Sequence, residues 1–491
     1  MNNEIVSILH LSDLHRSRAN PLNNAALLSS LIIDIDRIKG ETPSIKKPDI
    51  IIVSGDIIRG SHHIDADASN DEINEQYNEA FEFLNSITNK LLDGDKSRII
   101  IIPGNHDVSW SISKESMEKV ETANVLNETG NVKSSVLEDS INTHSNIKWN
   151  WDDLSFYEVT DIELYANRLK AFCDFYSRFY EGNRSYSLRP NEQFDIFDIP
   201  KFNIAIVGFN SCYNNDHLNK AGAIHPECIG NAIMNSRKYK KQNRKLIAVW
   251  HHNTKGTPYC NDYMENSFIK NLIDSNFILG FHGHQHKTEI IREEKNIIEE
   301  KKMLIFSTGT LCAGEWELPV GQSRQYNFVT IEELDKELNV VIHNRLQTAA
   351  SSLELPVWTK GNIDNTNNSY FEYKINYQKV GASLDQKLAE IDTLVLENNY
   401  ENALILLTKL DTSDVFVRKY TLKCLVELED STGILKYFSN PINEEESIHV
   451  LNAAFELKDR VTIGKLLVQP IIENSTDPSV IITKNKAKSL I

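Results

Sequence analysis

The sequence predicts an α/β protein built on a parallel sheet, followed by an all-α tail. Three observations predict it. Apolar strands alternate with amphipathic helices through the first hundred residues. Several of those strands stop abruptly in polar residues able to bind metal or move protons. From about residue 381 the strand-like runs give way to short helical patterns.

The first strand covers 4–11 and ends in Ser12-Asp13-Leu14-His15. A helix is expected over 23–39, with Ala26, Leu27, Leu31, Ile32 and Ile35 on one face. The second strand, 49–53, ends in Ser54-Gly55-Asp56. An acidic loop over 61–74 precedes a helix from about Tyr77 to Leu92. Four isoleucines, Ile99–Ile102, form the third strand, apolar on both faces as a covered parallel strand is. Pro103 and Gly104 end it and deliver Asn105-His106-Asp107 to the carboxyl edge, where open sheets carry their sites.

Residues from 108 to about 200 read as a polar, partly helical insertion near the mouth of the site. Thr160 and Glu163 are spaced as a capping box. The helix beyond them places Leu169, Phe172, Cys173, Tyr176, Phe179 and Tyr180 on a stripe that suits a core. Trp110, Trp149 and Trp151 are read as packing residues, with a lining role at the mouth as the alternative. Strands resume at 203–209, 245–250, 277–281, 303–307, 326–331 and 338–345, the last two antiparallel. Residues 346–380 form a polar connector with one short strand, 370–375. The tail, 381–491, reads as helical hairpins of the TPR/HEAT kind, because Leu422-x5-Leu428-Glu-Asp430 recurs as Leu451-x5-Leu457-Lys-Asp459. Such a tail implies a protein partner or self-association, with a plain buttress as the alternative.

Composition narrows the class. With 491 residues the chain exceeds one ordinary core. No apolar run is long enough to span a bilayer, and the start lacks a secretory pattern, so a cytoplasmic location is expected. The six cysteines (173, 212, 228, 260, 312 and 424) form no CxxC pair and are expected as buried thiols. A net charge of −17 argues against a broad surface for long nucleic acid. The tail holds 12 Lys/Arg and 17 Asp/Glu, so it is no basic arm.

The polar groups after the strands form a constellation: Asp13 and His15; Asp56; Asn105 and His106; His251 and His252; His282, His284 and His286. One such histidine is ordinarily structural; five sets in one chain point to a metal site. Carboxylate, imidazole and amide ligands without thiolate suit ions of intermediate hardness. The ligands suffice for two divalent ions, with Mn2+ expected first and Fe, Zn or Ni accommodated. Ions about 3.5–4 Å apart clamp a phosphoryl group and acidify a shared water.

At these residues the chain resembles the calcineurin-like metallophosphoesterase superfamily. The matches are Asp13-x-His15, Gly55-Asp56, Gly104-Asn105-His106-Asp107, His251 and Gly283-His284-Gln285-His286. The resemblance covers roughly 4–345 and implies a metallophosphoesterase domain over 1–345, a four-layer αββα sandwich. It implies Asp13, His15, Asp56 and His286 around one metal, and Asp56, Asn105, His251 and His284 around the other. Asp56 would bridge, with a hydroxide as nucleophile. His106 would assist the leaving group. Asp107 would orient His106 or cap a helix. Arg59 would meet a phosphate or ribose, or else form a surface salt bridge. Asn253 would contact a phosphate oxygen or cap the next turn. His252 is expected to support the ligands; His282, His62 and His63 are expected to be structural.

Gly55-Asp56-Ile57-Ile58-Arg59-Gly60 departs from the protein serine/threonine phosphatase pattern. The resulting expectation is a phosphodiesterase acting on a small phosphoester or nucleotide. The alternatives are a metal-dependent DNA nuclease of the SbcD type, with nucleic acid as substrate, and a non-catalytic scaffold acting through its helical tail.

Overall fold

The computed structural model describes residues 5–491 except 19–21, 64, 142–144, 256–262, 265, 295–301, 315–316, 335–336, 349–350, 352–355, 364–365, 377–383 and 413. Cys260 and the end of the expected connector (377–380) lie outside the described residues. The chain forms two compact units, Met1–Lys379 and Val380–Ile491.

The first unit is organised by two large sheets. In one, Ile5–Leu11, Ile50–Ser54 and Ile99–Ile102 lie parallel in that order, and Gln325–Glu333 pairs antiparallel with Ile5–Leu11. Glu337–Gln347 continues this sheet and carries both Trp358–Lys360 and Tyr370–Asn376 on its far side. In the other, Ile204–Phe209, Lys245–Val249, Phe277–His282 and Lys302–Ser307 are parallel. Phe194–Ile199 and Ile290–Glu294 add antiparallel edges.

Side-chain alternation explains the layering. Ile204 and Ile206 enter the core shared with the first sheet, whereas Ala205, Val207 and Phe209 enter a second core. Ile247 and Val249 against Leu246, Ala248 and Trp250 repeat the division. The second core is closed by Cys228, Ile229 and Ala232 of helix Pro226–Lys241, and by Phe268, Leu272 and Ile273 near helix Asn266–Asp274. Helices Asn24–Arg37 and Ala66–Leu91 bury Leu27, Leu31, Ile35, Ile73, Phe83 and Leu84 with the first sheet. Apolar strands with two covered faces require this helix–sheet–sheet–helix order.

The structure changes four sequence expectations. Helix Ala66–Leu91 begins inside the expected acidic loop, because Asp65 caps it by accepting from the Ala68 amide at 2.8 Å and the acidic residues form its wet face. The insertion contains a three-stranded antiparallel sheet, Met117–Lys119, Ile147–Asn150 and Ser155–Val159, whose strands are too short and polar for a clear period of two. Asp161, not Thr160, caps helix Ile162–Ala166. Residues 358–360 and 370–376 are two strands of the first sheet, where one was expected in a connector.

The aromatic stripe is buried, and so are Cys173, Cys212, Cys228, Cys312 and Cys424 as free thiols. Trp149 packs on Phe156 at 4.7 Å within the insertion, while Trp151 is 74% exposed. In the second unit, helices Val415–Glu427 and Glu444–Glu456 are each followed by a left-handed residue, Glu429 or Lys458. Asp430 and Asp459 then cap the next helices, Ser431–Tyr437 and Arg460–Leu467. Helices Pro470–Glu473 and Pro478–Lys488 complete this unit. Among the described residues, no helix is long and apolar enough to cross a membrane.

One buried ion pair fastens a helix to the first sheet. Asp34 accepts from Arg345 Nε at 2.8 Å and Nη2 at 2.5 Å, and from the Tyr326 hydroxyl. Glu41 takes Arg345 Nη1 at 2.6 Å. Asp34→Ala would leave the guanidinium buried with half its partners. The expected loss is about 3–5 kcal/mol in denaturant unfolding, and a change below about 1 kcal/mol would contradict this assignment.

Candidate metal centre

Parallel strands of both sheets deliver their carboxyl ends to one edge. Asp13 and His15 follow Ile5–Leu11, Asp56 follows Ile50–Ser54, and Asn105 and His106 follow Ile99–Ile102. From the other sheet, His251 follows Lys245–Val249, and His284 and His286 follow Phe277–His282.

Their donor atoms converge as two sets. In the first, His286 Nε2 lies 3.1 Å from Asp13 Oδ1 and 3.3 Å from His15 Nε2. His15 Nε2 is 3.8 Å from Asp56 Oδ2. In the second, His251 Nε2 lies 3.2 Å from Asp56 Oδ2 and 3.0 Å from Asn105 Oδ1. His284 Nδ1 is 2.9 Å from the same Asn105 oxygen and 3.3 Å from His251 Nε2. Asp56 Oδ2 belongs to both sets. The second ring nitrogens of two histidines are fixed by backbone carbonyls: His251 Nδ1 donates to Ser54 at 2.8 Å and His286 Nδ1 to Glu317 at 2.7 Å. Each Nε2 therefore faces the cluster, the orientation a metal-binding imidazole needs.

The electrostatics demand positive charge here. Asp13 and Asp56 are buried, yet their carboxyls stay below the usual range; burial alone would raise them, and the facing imidazoles outweigh it. Burial alone would lower His251 and His286, but the Asp56 and Asp13 carboxylates push both up to about 9. Without cations, protons on these imidazoles balance the carboxylates. Mixed carboxylate, imidazole and amide donors fit divalent ions, which would supply the same charge.

Backbone strain gathers at the same positions. Asp13, His15, Asp56, His284 and His286 have φ of 50°, 43°, 49°, 72° and 52°. Only a few per cent of non-glycine residues adopt that left-handed region. Here it covers five of the seven expected ligands, the pattern of a functional site rather than of ordinary turns. Gly55, at φ 97°, and Gly104 allow the loops to meet. A Cβ on Gly55 would stand 2.4 Å from His251 Nδ1, and one on Gly104 2.2 Å from Asp56 Oδ1.

The three residues expected to act directly on substrate divide. His106 stays at the cluster: its ring is 4.7 Å from that of His15, and its Nδ1 donates to the Arg59 carbonyl at 2.6 Å. Of its two expected roles, Asp107 takes the capping one, closing the turn Asn105–Asp107. Its oxygens accept from the Ile57 amide at 3.1 Å, the Gly104 amide at 2.8 Å and the Tyr77 hydroxyl at 2.9 Å. It ties the Asp56 turn to the Asn105 turn. The Arg59 side chain is half-exposed and pairs with Glu317 at 3.3 Å, the salt-bridge alternative.

The neighbouring groups have supporting places. Ser211 Oγ accepts from the amides of His251 and His252, at 3.0 and 3.2 Å, and meets His252 Nδ1 at 2.9 Å. His282 stacks on Trp250, and burial lowers it to about 4. His62 contacts Trp110, and His63 faces Glu72. Asn253 Nδ2 donates to the Lys255 carbonyl, closing the next turn. Arg168 of the insertion donates to the carbonyls of Tyr165, Tyr213 and Asn215, and its own carbonyl accepts from Ser109. It thus braces the segment after Asp107 against the loop that begins at Ser211. Sequence reasoning missed Ser54, Ser211, Arg168 and Glu317. Ser211 follows strand Ile204–Phe209 just as the ligands follow theirs, a usable signal; Glu317 offers none.

Two donor sets sharing one carboxylate at a strand edge define the class, a dinuclear metallohydrolase. The family model for calcineurin-like phosphoesterases matches residues 6–288, more than half of the chain. The chain belongs to that family and is a metal-dependent phosphoesterase. It is 23% identical over 411 residues to the uncharacterized metallophosphoesterase-like protein YydB of Bacillus subtilis (strain 168), across 82% of this chain and 71% of that protein. Among solved structures, a dimetal phosphatase from Danio rerio aligns with a TM-score of 0.39 and 10% identity, over 76% of this chain and 99% of that one.

Metal loading should release protons. His251 and His286, at about 9 without cations, are protonated at neutral pH, so a cation must displace a proton from each. Raising the pH toward 9 therefore strengthens binding, and the gain levels off above that. Calorimetric titration near neutral pH should give a heat that varies with the buffer's ionisation enthalpy. A buffer-independent heat would contradict the charge assignment.

Proposed function

We propose that this phosphoesterase is a phosphodiesterase acting on a small nucleotide-type substrate. The observation that carries its two-metal chemistry is the shared placement of Asp56 Oδ2, 3.8 Å from His15 Nε2 and 3.2 Å from His251 Nε2. On this reading, Asp13, His15, Asp56 and His286 would hold one divalent ion, and Asp56, Asn105, His251 and His284 the other, with Mn2+ the first ion to test. Bound there, the pair supplies Lewis acidity to the phosphoryl oxygens and to an attacking water.

The chain's own residues do the rest. His106 has Nδ1–H committed to the Arg59 carbonyl, so in its doubly protonated form only Nε2–H is free. That proton is available to the departing oxygen, and the imidazolium charge stabilises the transition state. Asp107 positions rather than reacts: it holds the Ile57 and Gly104 amides, and through them the Asp56 and Asn105 turns. The chain's charge of −17 supports a small substrate over long nucleic acid.

A substrate panel with Mn2+ tests this reading: p-nitrophenyl phosphate, its bis-ester, cyclic nucleotides and short single-stranded DNA. The expected result is the highest kcat/KM on a small diester. Preference for the monoester, or for DNA with a steep salt dependence, would contradict it. Asp56→Asn should abolish turnover and reduce bound metal; retained turnover would refute the bridging role. His106→Asn should lower kcat about 10²–10⁴-fold with metal content unchanged. Loss of metal in parallel would make His106 a ligand instead.

A further inference from the structure

Two loops from distant parts of the chain meet over the first donor set. The Arg59 carbonyl accepts from His106 Nδ1 at 2.6 Å, and the Glu317 carbonyl accepts from His286 Nδ1 at 2.7 Å. Both imidazoles flank His15, with ring centres 4.7 and 5.3 Å from it. The side chains of the two anchoring residues turn outward and pair, Arg59 Nε to Glu317 Oε1 at 3.3 Å. They are 52% and 24% exposed, so the pair forms part of the solvent-facing rim of the site. The other Glu317 carboxylate oxygen accepts from the Gly314 amide at 2.8 Å, which fixes it in place.

An arginine beside a phosphoesterase site would ordinarily attract the most highly charged phosphate, and bind it by a fork of two hydrogen bonds. Here its Nε faces a carboxylate instead, and the Glu317 charge offsets that of the guanidinium. The rim carries one positive and one negative charge where Arg59 alone would give a net positive one.

We propose that Glu317 determines specificity by masking Arg59, so that the rim admits singly charged phosphodiesters and gives no advantage to doubly charged phosphomonoesters. This rests on the diesterase reading and names its physical basis. A terminal phosphate carries close to two charges at pH 7, since its second ionisation falls near pH 6; a diester carries one. Removing the Glu317 charge exposes Arg59, and the benefit scales with substrate charge. Coulomb attraction at rim distances in a wet site corresponds to about a five- to tenfold effect.

The test compares wild type with Glu317→Gln on bis-p-nitrophenyl phosphate and p-nitrophenyl phosphate. The variant should raise monoester kcat/KM about five- to tenfold, through KM. Inorganic phosphate should bind the metal-loaded variant tighter by a similar factor, read by calorimetry. Glu317→Asp, which keeps the charge, should show no gain in the monoester-to-diester ratio. An unchanged monoester kcat/KM with unchanged phosphate affinity would overturn the gate while leaving the diesterase reading standing. A fall in diester turnover without a monoester gain would also overturn it, making Glu317 a substrate contact. Wild type inactive on both esters would overturn the diesterase reading and the gate with it. Salt supplies a second check. Wild type and Glu317→Gln share the same donor sets, so raising salt from about 20 to about 200 mM should lower the monoester-to-diester ratio more in the variant than in wild type. An equal fall in both would overturn the proposal.

Discussion

The structure depends on keeping two buried carboxylates, Asp13 and Asp56, charged in a low-dielectric strand edge. A buried carboxylate without compensation is costly. The fold compensates by aiming the imidazoles of His251 and His286 at these oxygens from the opposite sheet. That convergence is reached only with left-handed backbone at Asp13, His15, Asp56, His284 and His286. Such residues cost roughly 1–3 kcal/mol each. The sandwich supplies the rigidity that holds them, since its inter-sheet core joins Ile8, Ile51 and Ile100 to Ile206, Ile247 and Leu279.

Support extends outward in layers of decreasing burial. Carbonyls of Ser54 and Glu317 set the faces of His251 and His286. Asp107 and Ser211 hold the turns that carry the donor sets, and Arg168 links those turns through the insertion. The insertion is therefore part of what positions the site, although none of its described side chains belongs to the donor sets. At the rim, Arg59 and Glu317 pair at 3.3 Å.

Much of this was legible in the chain because the site residues follow apolar runs directly. Ile99–Ile102 could only be a covered strand, and Pro103-Gly104 could only end it, so Asn105 and His106 had to emerge at the carboxyl edge. The same logic located Asp13, Asp56, His251 and His284. What escaped was either short or long-range. The strands at 117–119 and 147–150 are too brief to show a period of two. The helix from Ala66 hid behind its acidic face, which looked like a loop until its cap at Asp65 was visible. Glu317 reaches Arg59 across more than 250 residues of sequence, and no local pattern encodes such a contact. For Asp107 the sequence left two roles open, and only the geometry gives its oxygens to backbone amides, the capping role.

The central claim is that the two donor sets hold two cations sharing the Asp56 carboxylate. Anomalous scattering from crystals of the Mn2+-loaded protein, collected at the manganese edge, tests it most directly. The account predicts two peaks, one inside Asp13, His15 and His286, the other inside Asn105, His251 and His284, with Asp56 Oδ2 reaching both. A single peak, or peaks away from these atoms at full loading, would contradict it.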